Sequence, residues 1–84
     1  MEPIEQSRVS AMIAYRRGVC THGEFDRAQT TRERVRSGAQ ATQELNAFAE
    51  GARAMSPVPQ DVYDAVLDAE RRVVEIRRLM GGGG

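Results

Sequence analysis

Residues 62–80 read VYDAVLDAERRVVEIRRLM and carry the strongest structural signal in the chain. The spacing of their apolar side chains is four, three, four, three and four positions, through Val62, Val66, Ala69, Val73, Ile76 and Met80. This spacing brings one stripe of side chains to one side of an α-helix, as in a coiled-coil seam. Tyr63, Leu67 and Val74 widen the stripe, which favours packing in a bundle or against two neighbours.

Charge order and proline mark the ends of this helix. Aspartates come early in it and arginines come late, which complements the helix dipole. Ser56 stands before Pro57 and fits an N-cap followed by proline in the first turn, and an N-terminus nearer Pro59 fits the sequence equally well. The pattern therefore predicts a C-terminal helix over residues 57–80.

Glycines divide the preceding sequence into shorter segments. Gly18 follows two arginines and suits a helix C-cap, and Thr21 with Glu24 fits a capping box that starts a new helix. Glycine inside a helix costs about 1 kcal/mol relative to alanine, so Gly38 is a candidate for a break in that helix, and the sequence leaves open whether the helix is interrupted there. A second four-three seam then runs from Ala41 to Met55. We expect helices over residues 3–17, 21–37, 39–51 and 57–80.

No segment alternates with the period of a β-strand, so the predicted fold is all-α. We expect a three- or four-helix hairpin or bundle with a coiled-coil-like C-terminal helix. The 84 residues allow one helical domain, over residues 1–80, followed by a flexible glycine tail over 81–84. With no Trp the core must be thin, so burial against a second copy or a partner is expected.

Composition excludes several classes of function. Twelve acidic residues balance twelve basic ones, all of them arginine, so no net field attracts nucleic acid or a membrane surface. No apolar run approaches the ~20 residues of a membrane span. The single Cys20 excludes an internal disulfide and fits a reducing compartment, so the expected location is the cytoplasm.

Cys20 and His22 are the only candidates for a nucleophile and its base. A working cysteine needs a positioned imidazole and a lowered pKa, and a structural zinc site needs four ligands. We interpret the pair as a half-buried thiol and an exposed turn histidine. The sequence therefore predicts no enzyme, no catalytic residue, no metal and no cofactor.

Four arginines could form a basic strip able to meet phosphates or an acidic protein surface. They are Arg27, Arg32, Arg34 and Arg36, and Glu33 lies among them. Against a net charge of zero, nucleic acid is the less favoured partner.

The leading hypothesis is a small non-enzymatic module that binds a partner protein, or a second copy, through amphipathic helices. Such a module acts as a regulator, an inhibitor or an adaptor. The residues predicted to contact the partner are Leu45, Asn46, Phe48, Glu50, Val62, Val66, Val73 and Ile76. A helical subunit of a phage or secretion assembly is an alternative.

Two stretches resemble known families. Gly18-Val19-Cys20-Thr21-His22-Gly23-Glu24-Phe25 resembles the G-x-x-T-x-x-E-F turn of short bacterial helical hairpins, including SHOCT-type modules. Asn46-Ala47-Phe48-Ala49-Glu50-Gly51 is similar to the inhibitory helix of antitoxins that silence Fic-type AMP-transferases, with Asn46 in place of their Ser or Thr. That resemblance implies that Glu50 pairs with an arginine of the enzyme and blocks productive ATP placement.

Overall fold

The structure, a computed structural model, describes residues 3–81, which form three α-helices and no strand. Helix α1 spans Pro3–Arg27, α2 spans Thr31–Arg53 and α3 spans Gln60–Met80. The predicted all-α bundle is thus confirmed. Short connections turn α2 back along α1 and α3 back along α2, giving an elongated body of 44 × 20 × 14 Å. None of the three helices has the length and apolarity that crossing a bilayer requires.

The first helix continues through Gly18, so the predicted boundary at residues 17–21 is wrong. The Thr21 hydroxyl donates a hydrogen bond of 2.9 Å to the Arg17 carbonyl one turn earlier, instead of capping a new helix. Gly18 itself is buried against Leu45 of α2, where an added Cβ would lie 2.6 Å from Leu45 Cδ2. The glycine therefore permits a close helix approach, and no hairpin turn of the SHOCT type forms here.

The true start of α2 uses the same motif nine residues later. Thr30 is the N-cap, and its side chain accepts a hydrogen bond of 3.2 Å from the Glu33 backbone N–H. The helices predicted over 21–37 and 39–51 are therefore wrong, because residues 21–27 belong to α1 and α2 is continuous from Thr31 to Arg53. Gly38 does not interrupt it, since it is buried beneath Phe25, Ile76 and Met80.

Helix α3 begins at Gln60, which is the later of the two starts expected from the sequence and three residues after the earlier one. Pro59 is its N-cap and provides no side-chain hydrogen bond, so the expected cap at Ser56 does not form. A cis peptide joins Ser56 to Pro57 in the connection. The helix ends at Met80, as predicted, and the Gly81 N–H donates to the Arg77 carbonyl at 2.7 Å. Residues 82–84 of the predicted glycine tail lie outside the described residues.

The buried apolar residues come almost entirely from α2 and α3. They are Phe25, Ala41, Leu45, Phe48, Ala49, Ala52, Val62, Ala65, Val66, Ala69, Val73 and Ile76. Helix α1 supplies only Phe25 to this set, and its Tyr15 is half-buried with its ring centroid 5.2 Å from that of Phe48. Ala11, Met12 and Ala14 of α1 are partly buried and also pack against this core, and polar contacts with α3 add to this packing.

We predict opposite effects for alanine at two helical glycines. Gly18→Ala gains about 0.5–1 kcal/mol of helix propensity, but its Cβ collides with a fully buried Leu45, and such overpacking costs about 1–3 kcal/mol. Gly51→Ala gains the same propensity and meets no atom within 4 Å. Urea unfolding followed by circular dichroism should show Gly18→Ala destabilised and Gly51→Ala stabilised. Equal stabilisation of both variants would contradict the close approach at Gly18.

Candidate interaction surface and polar interface

Helices α1 and α3 meet through polar contacts that repeat every seven residues, here called the heptad ladder. Its three rungs are Arg8 with Asp61, Tyr15 with Asp68 and His22 with Glu75. Each rung places a side chain of α1 against a carboxylate of α3. Both series advance together along their helices, so α1 and α3 run parallel. The ladder therefore lies on the inward side of α3, next to its buried apolar residues, and the opposite side of α3 faces solvent.

The first rung is an exposed, charged pair. Arg8 donates to one oxygen of Asp61 from Nε at 3.0 Å and from Nη2 at 2.6 Å. These hydrogen bonds lower the pKa of the Asp61 carboxyl below its ordinary value. Because both side chains are nearly half exposed, water and salt screen the pair.

The second rung is partly buried and belongs to a network. The Tyr15 hydroxyl donates to Asp68, which also accepts from Arg72 Nε at 2.8 Å and from Arg71 at 3.2 Å. Burial raises the pKa of Asp68, but the hydrogen bonds from Tyr15 and Arg72, with the two arginine charges, outweigh it and leave the pKa lowered. Burial and the Asp68 carboxylate raise the pKa of Tyr15.

The third rung surrounds a buried histidine. His22 is 3% exposed, with Nε2 at 3.3 Å from Glu75 and Nδ1 at 3.3 Å from Asp26. Arg72 Nη1 lies 3.4 Å from the same Nδ1. The Nε2 atom has no aligned hydrogen-bond partner within residues 3–81. The expectation of an exposed turn histidine is therefore wrong, because α1 continues past Gly18 and turns this residue inward.

His22, Asp26 and Glu75 are the group in residues 3–81 whose donor atoms come close enough to suggest a metal site. Their candidate ligand atoms lie within 4.8 Å of one another. Asp26 and Glu75, however, approach opposite ring nitrogens, and one metal ion binds only one of these. The Arg72 guanidinium also brings a positive charge beside Nδ1. The arrangement is better suited to joining helices than to holding a cation.

Cys20 and His22 do not form a reactive pair. Cys20 is exposed whereas His22 is buried, since residues two apart on a helix lie on nearly opposite faces. The thiol expected to be half-buried is therefore accessible, and it lies beside Ile13 and Arg17 in a shallow groove.

The side of α3 turned away from α1 and α2 carries an unpaired second seam. Tyr63, Leu67 and Val74 are 50%, 47% and 64% exposed. Together with Glu70 and Arg77 they form a series with the same four-three spacing as the core seam of α3. Each member stands one position after a core residue in the sequence. We call the outer face of α3 the surface formed by Tyr63, Asp64, Leu67, Glu70, Arg71, Val74, Arg77 and Arg78. It is a shallow groove with an apolar centre, the kind of surface onto which a helix packs.

Charge on this outer face is graded along its length. Asp64 and Glu70 lie in the N-terminal half, and Arg71, Arg77 and Arg78 lie in the C-terminal half. This order complements the helix dipole, and it also gives the face a negative end and a positive end. Any helix that binds here must match both its apolar centre and this polarity.

Most of the residues predicted to contact a partner lie in the core. The buried ones are Leu45, Phe48, Val62, Val66, Val73 and Ile76. In this structure they pack against the chain's own helices, so they do not present a surface to another molecule. Asn46 and Glu50 are exposed and lie one turn apart on α2, and their role remains a prediction.

The four predicted arginines are exposed but do not form one strip. Arg27 lies at the end of α1, and its guanidinium folds back beside Gly23. Arg34 stacks over the ring of Phe25 at 5.1 Å from its centroid. Arg32 and Arg36 share a side of α2 that is nearly opposite to Arg34. The turn between α1 and α2 therefore spreads their charges around the end of the bundle.

Comparison with protein-family models, curated proteins and solved structures gives no match for this chain. The case for a function therefore depends on the geometry of the surface and on its chemistry.

The heptad ladder was present in the sequence but was not among our predictions. Seven-residue spacing relates Arg8 to Tyr15 and His22, and the same spacing relates the carboxylates of α3. A continuous α1 would also have placed Ala11, Tyr15, Gly18, His22 and Phe25 on one seam with four-three spacing. Because Gly18 was predicted to end a helix, neither the seven-residue spacing nor the four-three seam was followed across it.

We predict that Asp68→Asn weakens the bundle at neutral pH and flattens its acid unfolding. A carboxyl whose pKa is lowered by folding binds fewer protons when folded, so its stabilisation is present above pH about 4 and is lost as pH falls further. The loss of charge-assisted hydrogen bonds should cost about 1–2 kcal/mol at pH 7. Urea unfolding between pH 2 and 7 measures both effects.

Asp61→Asn is the matched control for that experiment, because it removes the exposed rung. Its effect should be smaller and should decrease further when salt is added. An acid slope of Asp68→Asn identical to that of the unmodified protein would contradict the role given to Asp68.

Proposed function

We propose that this protein is a non-enzymatic interaction module that binds an amphipathic helix of a protein partner on the outer face of α3. The observation that carries the proposal is the second seam, in which Tyr63, Leu67 and Val74 are 50%, 47% and 64% exposed and lie on one side of α3. Side chains arranged in this way supply the apolar contacts of a helix–helix interface. A regulator or adaptor can work through such a surface alone.

The charges on the face favour a protein over a phosphate-bearing partner. Asp64 and Glu70 would repel the backbone of a nucleic acid or the headgroups of an anionic membrane. A protein helix can instead carry both signs of charge. The complementary partner has an apolar stripe, basic residues opposite Asp64 and Glu70, and acidic residues opposite Arg71 and Arg77.

The placement of the chemical side chains also supports a role without catalysis. The exposed Cys20 is separated from the buried His22, and His22 is engaged between α1 and α3. The carboxylates of the ladder hold donors of the chain itself. The groups with reactive chemistry thus serve the fold or lie apart from one another.

We predict that Leu67→Glu abolishes partner binding while leaving the fold intact. Leu67 lies at the apolar centre of the face and is about half exposed, so a glutamate there disrupts the interface with little cost to the bundle. The measurement is affinity capture from the native cell with quantitative mass spectrometry, comparing the unmodified protein with Leu67→Glu.

Val35→Glu is the matched control, since Val35 is equally exposed but lies on α2. A protein that is captured by the unmodified chain and by Val35→Glu, but not by Leu67→Glu, meets the prediction. If all three chains capture the same proteins and also have the same mass in solution at high concentration, the assignment of the face is overturned.

The exposure of Glu50 favours a second candidate function, inhibition of a Fic-type AMP-transferase. Asn46 and Glu50 are the two polar positions of the stretch that resembles the inhibitory helix, and both are accessible on the same side of α2. A carboxylate at this position is free to approach an arginine of an enzyme.

For this second candidate we predict that Glu50→Gln releases AMP-transfer by a Fic-type enzyme encoded beside this chain. The substitution removes the negative charge while preserving the helix. Glu24→Gln, an equally conservative change on exposed α1 surface, should leave inhibition unchanged. Radiolabelled AMP transfer measures the activity, and full inhibition by Glu50→Gln would exclude the role of Glu50.

A further inference from the structure

We propose that the helix bound by the outer face of α3 is α3 of a second copy, lying antiparallel to the first. This inference rests on the proposed function of that face and names its partner. A helix that binds this face needs an apolar stripe. It also needs basic residues opposite the acidic half of the face and acidic residues opposite the basic half. Helix α3 itself meets both requirements when it is turned end to end.

One register satisfies the apolar positions. When the two-fold axis passes between Glu70 and Arg71, residues at equal distances on either side of the axis face each other across the dimer. Leu67 then faces Val74 of the second copy, and Tyr63 faces Arg78, which suits stacking of a guanidinium on an aromatic ring. The two-fold symmetry makes each contact occur twice.

The same register satisfies the charges without any further adjustment. Asp64 faces Arg77 of the second copy, and Glu70 faces Arg71 beside the axis. Within one chain Glu70 also pairs with Arg53, so its charge is shared. Asp64 accepts only from the Gln60 amide, and Arg77 forms no ion pair within residues 3–81. The Asp64–Arg77 pairs are therefore the ones that decide direction.

Electrostatics exclude the parallel arrangement. In a parallel pair Asp64 would meet its own copy, as would Arg77, and like charges facing each other are destabilising. The antiparallel arrangement also sets the two helix dipoles against each other, which is favourable.

A second exposed apolar group, Val9 and Ile13 on α1, is less suited to a second copy. It is lined by Arg8, Arg16 and Arg17 together with Asp61 and Glu44, and Asp61 is already paired with Arg8. These charges lack the acidic-to-basic order along one helix that an antiparallel copy complements. The outer face of α3 has that order, so self-association is assigned to α3.

The interface is small, and its apolar part consists of three side chains from each copy. Interfaces well below about 1,200 Å² support weak association. The dimer should therefore form reversibly as protein concentration rises, and its test must extend to high concentration.

The first experiment is sedimentation equilibrium on the full chain from about 10 µM to about 1 mM, with charge-reversal variants. The unmodified protein should pass from monomer to dimer. Asp64→Arg and Arg77→Asp each turn two attractive pairs into repulsive ones and should weaken the dimer at least ~10-fold. The double variant Asp64→Arg/Arg77→Asp restores opposite charges in both pairs and should return to within about threefold of the original affinity.

A purely structural role of these charges gives the opposite order. Both reversals oppose the dipole of α3, so the double variant should be the least stable monomer in a thermal melt at low concentration. Recovery of the dimer in that same variant can arise only from contact between copies. Failure of the double variant to recover would overturn the proposed register.

The second experiment tests direction by crosslinking. In a Cys20→Ser background, chains carrying Leu67→Cys are mixed with chains carrying Val74→Cys and oxidised. The antiparallel register predicts disulfides between unlike chains, whereas a parallel pair predicts disulfides between like chains. Predominant crosslinks between like chains would overturn the proposal.

Failure of this inference can be told apart from failure of the proposed function. A chain that remains monomeric to about 1 mM overturns self-association. If the unmodified chain nevertheless captures another protein that Leu67→Glu does not capture, the face binds that protein and the proposed function stands. If Leu67→Glu changes neither the captured set nor the mass in solution, both proposals fail.

Discussion

The relative orientation of α1 and α3 depends on the heptad ladder between them. Helix α1 contributes one fully buried apolar residue, Phe25, to the core, and its partly buried Ala11, Met12, Ala14 and Tyr15 pack against that core. The first two rungs add hydrogen bonds of defined geometry, and the third places His22 against Glu75. Once they are formed, the ladder and core positions of α3 point inward. The stripe with Tyr63, Leu67 and Val74 lies on the opposite side of α3 and is therefore exposed to solvent.

The features of the fold that depend on local spacing are predicted from the sequence, and those that depend on contacts between helices are not. The seam from Val62 to Met80 depends on local spacing, and its helix ends where predicted. The all-α class follows from the same periodicity. By contrast, two Thr-x-x-Glu motifs stand at Thr21 and Thr30, and local capping chemistry does not distinguish them. The choice is made by burial, because Gly18 allows a close approach to Leu45 and draws the first motif into α1.

The candidate surface was predictable in part. The extra width of the C-terminal stripe is visible in the sequence, and the structure shows which part of that width remains exposed. The most regular seam, from Val62 to Met80, packs mainly inside the bundle. In a thin bundle the most regular apolar seam forms the chain's own core. The exposed apolar residues of α3 are the ones that follow the core residues by one position in the sequence. Similarly, Asn46 and Glu50 are exposed because they lie off the seam of α2, which contains Leu45 and Phe48.

The two buried glycines complete the arrangement in a way that the ladder cannot. A pattern that repeats every seven residues fixes the phase of two helices but is nearly blind to a slip of one whole repeat, since Arg8 could meet Asp68 as readily as Asp61. Gly18 beneath Leu45 is the one buried glycine of α1, and Gly38 beneath Ile76 and Met80 is the one buried glycine of α2. If one helix shifted by seven residues, Leu45, Ile76 or Met80 would face a residue larger than glycine. The ladder thus sets the phase of the bundle, and the two glycines set its offset.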